Sequence, residues 1–111
     1  MIRALTLTLA TVLAVTAPVT VEARGRPDVE AIIRDVWPDH VEDAAIRVAW
    51  CESRHIPTAR NRWGFRGLFQ MGPREWRRYG HGGNIYNPRD NAAGALRLYQ
   101  ARRWQPWVCQ P

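Results

Sequence analysis

One carboxylate in this sequence stands where a helix ordinarily presents an apolar side chain. Val41, Ala45 and Val48 recur at helical spacing, and the same stripe next reaches Glu52. A glutamate at the C-terminal end of an apolar face is opposed twice, by poor solvation of its charge and by the negative pole of the helix dipole. Both effects keep the proton on the carboxyl group. A carboxylic acid still protonated near neutral pH is what protonating a glycosidic oxygen requires. An ion pair with Arg54, Arg66 or another arginine would act the other way and lower the pKa.

The other reactive side chains are few. Cys51 and Cys109 are the only two cysteines. In an exported chain an even count reads as a disulfide, here tying the middle of the domain to its last residues. Closing a loop of that length contributes about 4 kcal/mol in the chain-entropy model. A cysteine nucleophile or a metal pair is the alternative, the latter suggested by Cys51-x-x-x-His55. However, His40, His55 and His81 are scattered, and neither HExxH nor CxxC occurs. No metal and no cofactor is expected.

The segments that must position these groups begin after a leader. Met1-Ile2-Arg3 precedes Ala4 to Ala17, an uncharged run of Ala, Leu, Thr and Val, and Val21-Glu22-Ala23 offers small or aliphatic residues for cleavage. This is the pattern of a secretory signal peptide over residues 1–23. The run is shorter than the roughly 20 apolar residues a membrane helix needs, and it lacks the amphipathic period of a structural helix. The expected mature domain is residues 24–111, one small unit with a modest core. That length excludes a two-domain dehydrogenase, a barrel enzyme or a kinase. With no second apolar run, stable membrane insertion is not expected, and the implied location is secreted, extracellular or periplasmic.

Charge is unevenly distributed. The net charge is +6, and all 16 basic residues are arginine. Residues 24–43 hold six acids against three arginines, whereas from Ala44 onward twelve arginines face only Glu52, Glu75 and Asp90. A basic surface raises encounter rates with polyanions, although a merely soluble surface has the same composition.

Helical periodicity organises the rest. Pro27 suits a first helical residue, and Val29, Ile32, Ile33 and Val36 follow at i, i+3, i+4 and i+7. Trp37-Pro38 stops that helix. Asp39 with Glu42 matches a capping box for a second helix carrying Val41, Ala44, Ala45 and Val48 to about Ser53, before Ile56-Pro57 breaks it. Residues 58–72 are neither helical nor alternating and read as an irregular loop or small β-hairpin. Pro73 opens a short third helix with Trp76 and Tyr79. Gly80 to Asn84 is a connector, and Asn87-Pro88 caps a last helix through Ala92, Ala95, Leu96 and Tyr99 to about Arg103. The tail from Trp104 to Cys109 is expected to run extended. The fold class is therefore mainly α, a domain of four helices with one insert and one disulfide, and a monomer is expected. Trp37, Trp50 and Trp76 are assigned to packing.

Around Glu52 a longer pattern is visible. Glu52-Ser53-x-x-x-Pro57-x-Ala59, then Gly64-x-x-Gly67-Leu68-Phe69-Gln70-x-x-Pro73-x-x-Trp76, resembles the soluble lytic transglycosylase family of peptidoglycan-cleaving enzymes. The step of 15 residues from Glu52 to Gly67 equals that family's, and Asn87-Pro88-x-x-Asn91 is similar to its Asp-Pro-x-x-Asn. Phe69 stands where Met is usual, and Glu75 where Thr is usual. The family's downstream Ala-Tyr-Asn-Ala-Gly is replaced by a Trp-rich, Cys-terminated tail, similar to the small secreted lysozyme-like domains of resuscitation-promoting factors.

The resemblance implies an α+β lysozyme-like fold and a groove for alternating N-acetylglucosamine and N-acetylmuramic acid in the cell-wall space. Glu52 would be the catalytic acid, then base. Gln70 and Asn91 would orient sugar amide and hydroxyl groups and Ser53 would support the turn after Glu52, while Trp63, Phe65 and Tyr99 are candidates to stack on sugar rings, with the small core as the alternative home for each. A hydrolase would need a second carboxylate about 5–9.5 Å away. Glu75, on an arginine-dense turn, and Asp90, in a first helical turn, both read as structural. Two rivals stand beside this, both drawing on Arg–Trp patches: a non-catalytic cationic wall- or membrane-binding protein, and nucleic-acid binding. No recognisable motif supports the latter, so no nucleic-acid partner is expected.

Overall fold

The computed structural model describes residues 4–6, 8–14 and 27–111. Among them are four helices, α1 Val29–Val36, α2 Glu42–Ser53, α3 Pro73–Tyr79 and α4 Pro88–Arg102, and no strand. The stretches 4–6 and 8–14 are exposed and without regular structure. The remainder of the expected signal peptide, including Val21–Ala23, lies outside the described residues.

Local chemistry sets each boundary. The Asp28 carboxylate accepts the Ala31 N–H at 3.0 Å and caps α1. Pro27 therefore precedes the cap and does not open the helix as expected. Nor does the Asp39–Glu42 capping box form, since α2 begins after Val41 with no side-chain cap. A turn closed by Val41 N–H to Pro38 C=O intervenes, and the carboxylates of Glu42 and Asp43 instead receive the Arg34 guanidinium, at 2.8 and 2.9 Å. Those pairs brace the corner between α1 and α2. Asn87 caps α4 by accepting from the N–H groups of Arg89 and Asp90, with Pro88 following as expected.

Ile33, Val48, Leu68, Phe69, Met71 and Ala95 form a core around Trp37, which is 2% exposed. The Trp37 indole stacks on Phe69 at 5.3 Å and on Trp104 at 5.5 Å, and its N–H donates to Ala92 C=O. Tyr99 tilts against both Trp37 and Trp104. Each such aromatic pair contributes about 0.5–1.5 kcal/mol beyond the area it buries. Trp76 packs between α3 and α4, and Gly94 makes room for it: a Cβ there would lie 2.6 Å from the indole.

Trp50, expected in the core, is 51% exposed. It lies about 200° around the helix from Val48, on the outer face, against His55 and Arg54. The insert carries only two isolated antiparallel bridges, Arg60 with Arg66 and Arg66 with Met71. The tail is not extended. It turns back after Arg103, and the Gln110 side chain donates to the carbonyls of Trp104 and Trp107. That reversal brings Trp104 and Trp107 to the aromatic stack and Cys109 to Cys51, with which it forms the expected disulfide, Cα to Cα 5.9 Å.

Candidate functional site

Glu52 occupies the last turn of α2, and that turn is firmly held. Ser53 is buried and its hydroxyl donates to Ala49 C=O at 3.0 Å. Arg54, in the left-handed region at φ 55°, ends the helix with its N–H on Trp50 C=O. The Glu52 side chain is half-buried. Burial pushes its pKa above the ordinary glutamate value, while the adjacent backbone N–H of Cys109 pulls it down and is the weaker influence. Among the described residues no arginine is within ion-pair distance of it, and the Arg54 guanidinium lies over the Trp50 ring.

The carboxylate faces a cleft of about 550 Å³. One wall comes from the insert, through Asn61, Trp63, Phe65, Gln70, Met71 and Gly72; Glu75, Leu98 and Arg102 come from α3 and α4; and residues 105–108 of the tail complete it. Asn61 shapes the insert, its side-chain oxygen accepting from the N–H groups of Trp63 and Phe65. Trp63 is 66% exposed with Arg62 stacked 4.3 Å from its ring, and Phe65 is partly exposed beside it. The Gln70 amide nitrogen donates to Ala59 C=O and Gly67 C=O, so its oxygen is the atom left for another partner.

Two expected site residues do not line the cleft. Asn91 is fully buried, with its oxygen accepting from Phe69 N–H at 2.9 Å and its nitrogen donating to Arg66 C=O and Ile85 C=O. It fastens the insert to α4 and has no group left for a ligand. Gly67, at φ 80°, is what lets the chain pass, because a Cβ would strike the Asn91 amide. Tyr99 belongs to the aromatic stack with Trp37 and Trp104.

Glu75, by contrast, is not merely a surface residue. It lines the cleft together with Glu52, its carboxylate folded back over Gly72. Asp90 is elsewhere, accepting from Asn84 N–H. Asn61, Gln105 and Trp107 had no place among the expected site residues. An Asn two residues ahead of Trp63 was the available signal for the first. For the others, the signal was the pairing of Cys109 with Cys51, since a chain tied beside Glu52 must bring residues 105–108 with it.

No family model, curated protein or solved structure matches this chain. What the site can do rests on its own groups. They are a half-buried carboxylic acid with its proton held up in pH, amide side chains from Asn61, Gln70 and Gln105, exposed aromatic faces, and a second carboxylate. Cys51 is in the disulfide and the His55 ring nitrogen contacts Ile46 C=O, so the Cys51–His55 pair is not a metal site. Among the described residues no helix is long and apolar enough to cross a membrane.

Proposed function

We propose that this chain is a secreted, monomeric, lysozyme-like enzyme that cleaves the β-1,4 bond between N-acetylmuramic acid and N-acetylglucosamine, with Glu52 as its acid and base. The observation that carries the proposal is a carboxyl group with a raised pKa in a cleft flanked by aromatic rings and amides. Glu52 donates its proton to the bridging oxygen, which leaves with the bond electrons. The resulting carboxylate then takes the proton from the muramic acid's own 6-hydroxyl as that oxygen bonds to the anomeric carbon. A 1,6-anhydro ring closes, and one protein carboxylate suffices. Trp63 and Phe65 supply stacking faces for sugar rings, and Gln70 an acceptor for a sugar N–H or hydroxyl. Residues 1–23 would direct the chain to the extracellular or periplasmic cell-wall space.

A hydrolase of the same bond is the second reading, favoured by the presence of Glu75 in the same cleft. There Glu75 would activate water or bond to the anomeric carbon, depending on its distance from Glu52.

Digestion of purified peptidoglycan by the protein, beside Glu52→Gln, tests both. Products lighter by one water than hydrolytic ones, absent with the variant, support the transglycosylase. Full-mass reducing ends support the hydrolase. Binding to the wall without Glu52-dependent product overturns both and leaves a cationic wall-binding protein.

A further inference from the structure

The cleft does not end at Arg102. A second depression of about 350 Å³ shares Glu75, Leu98 and Arg102 with it and continues to Arg74, Arg78 and Tyr79. Its rim carries three exposed arginines, Arg74, Arg78 and Arg102. Among the described residues the ion pairs employ only Arg34 and Arg89, so none of these three guanidinium groups has a carboxylate partner. Glu75, at the junction, is the single acid against them. Tyr79 and Leu98 give the depression an apolar floor, with Arg78 stacked at 5.6 Å from the Tyr79 ring.

Three unpaired guanidinium groups above a small apolar floor suit a short, anionic, partly aliphatic segment, with arginine's paired N–H groups matching the geometry of a carboxylate. A glycan strand of peptidoglycan carries such a segment at every muramic acid, where a short peptide with free carboxylates hangs from the lactyl ether. We propose that this arginine-lined extension is a subsite for the peptide stem, so that the protein prefers peptide-bearing glycan to bare glycan. The subsite rests on the glycan-cleaving reading for the identity of its ligand.

The test separates the two. The Glu52→Gln protein is co-sedimented with phosphate-free peptidoglycan and with the same glycan after an amidase has removed its peptides. Tighter binding to the peptide-bearing form is expected. In Arg74→Gln/Arg78→Gln that preference should shrink by about two- to fivefold per arginine, the worth of exposed ion pairs. Arg102→Gln alone should shrink it in the same way, and Arg47→Gln/Arg60→Gln, which removes two charges outside both depressions, should leave it intact. Equal binding of the two glycans overturns the subsite, as does a preference that survives Arg74→Gln/Arg78→Gln and Arg102→Gln. So does an equal loss in the two double variants, which would reduce the effect to net charge. A preference that depends on these arginines, together with no glycan cleavage by the unmodified protein, would keep the subsite and discard the glycosidase.

Discussion

The backbone amide of Cys109 stands beside the Glu52 carboxylate because Cys109 is bonded to Cys51, the residue next to Glu52 in the chain. The same bond therefore closes a loop and builds the site. It seats Gln105 to Val108 as a wall of the cleft and sets the one group that tempers the effect of burial on Glu52.

Reduction, or Cys51→Ser, should lower stability by about 4 kcal/mol for a separation of 58 residues. Activity should fall as well, even at temperatures where the fold survives, because the wall is no longer tethered. Thermal melts and peptidoglycan digests with and without reductant check both effects. An unchanged melting temperature would remove the disulfide from any structural account.

Glu52→Gln should lower turnover by about 10²–10⁴-fold, the usual worth of a general acid and base. Its melting temperature at neutral pH should equal or exceed that of the unmodified protein, since an amide bears no charge to desolvate. A variant that keeps its turnover would exclude Glu52 from the chemistry.

The raised pKa of Glu52 also fixes a pH signature. Unfolded, the group ionises at its ordinary value; folded, it holds its proton to higher pH. Stability linked to Glu52 is thus complete below the ordinary glutamate value and declines as pH rises through the raised one. The alkaline limb of the rate profile should lie above the ordinary glutamate range for the same reason. Denaturant melts across the pH range, run beside Glu52→Gln, should show this decline in the unmodified protein alone.

Asn91→Ala should destabilise the fold by about 2–5 kcal/mol, because Phe69 N–H, Arg66 C=O and Ile85 C=O lose their buried partner. Guanidinium titration reads this directly. A variant of normal stability but impaired binding would instead return Asn91 to the ligand site.

The helices were legible because their signals are local. The spacing of Val29, Ile33 and Val36 or the Asn87-Pro88 cap speaks for itself within one or two turns. Glu52 was legible as a departure from such a period. Residues whose roles depend on distant partners were not. Asn91 looked like a polar side chain free to meet ligand because its three partners are spread from residue 66 to 85. The residue type of Trp50 points to packing, although its register puts it outside. Tail geometry was hidden because a turn held by Gln110 and an aromatic stack has no periodic trace in sequence.

The stack that receives the tail also gives the molecule an optical property. Trp37 and Trp104 are stacked with nearly parallel rings, 4° apart in orientation at 5.5 Å, and Trp107 stands at 5.5 Å from Trp104. Indoles held so closely and rigidly couple their transitions, and near-ultraviolet circular dichroism reports such fixed packing. Trp50 and Trp63, exposed and loosely surrounded, add little to that signal. The protein thus carries its own unlabelled gauge of whether the tail wall of its cleft is seated, readable in solution while ligand or reductant is added.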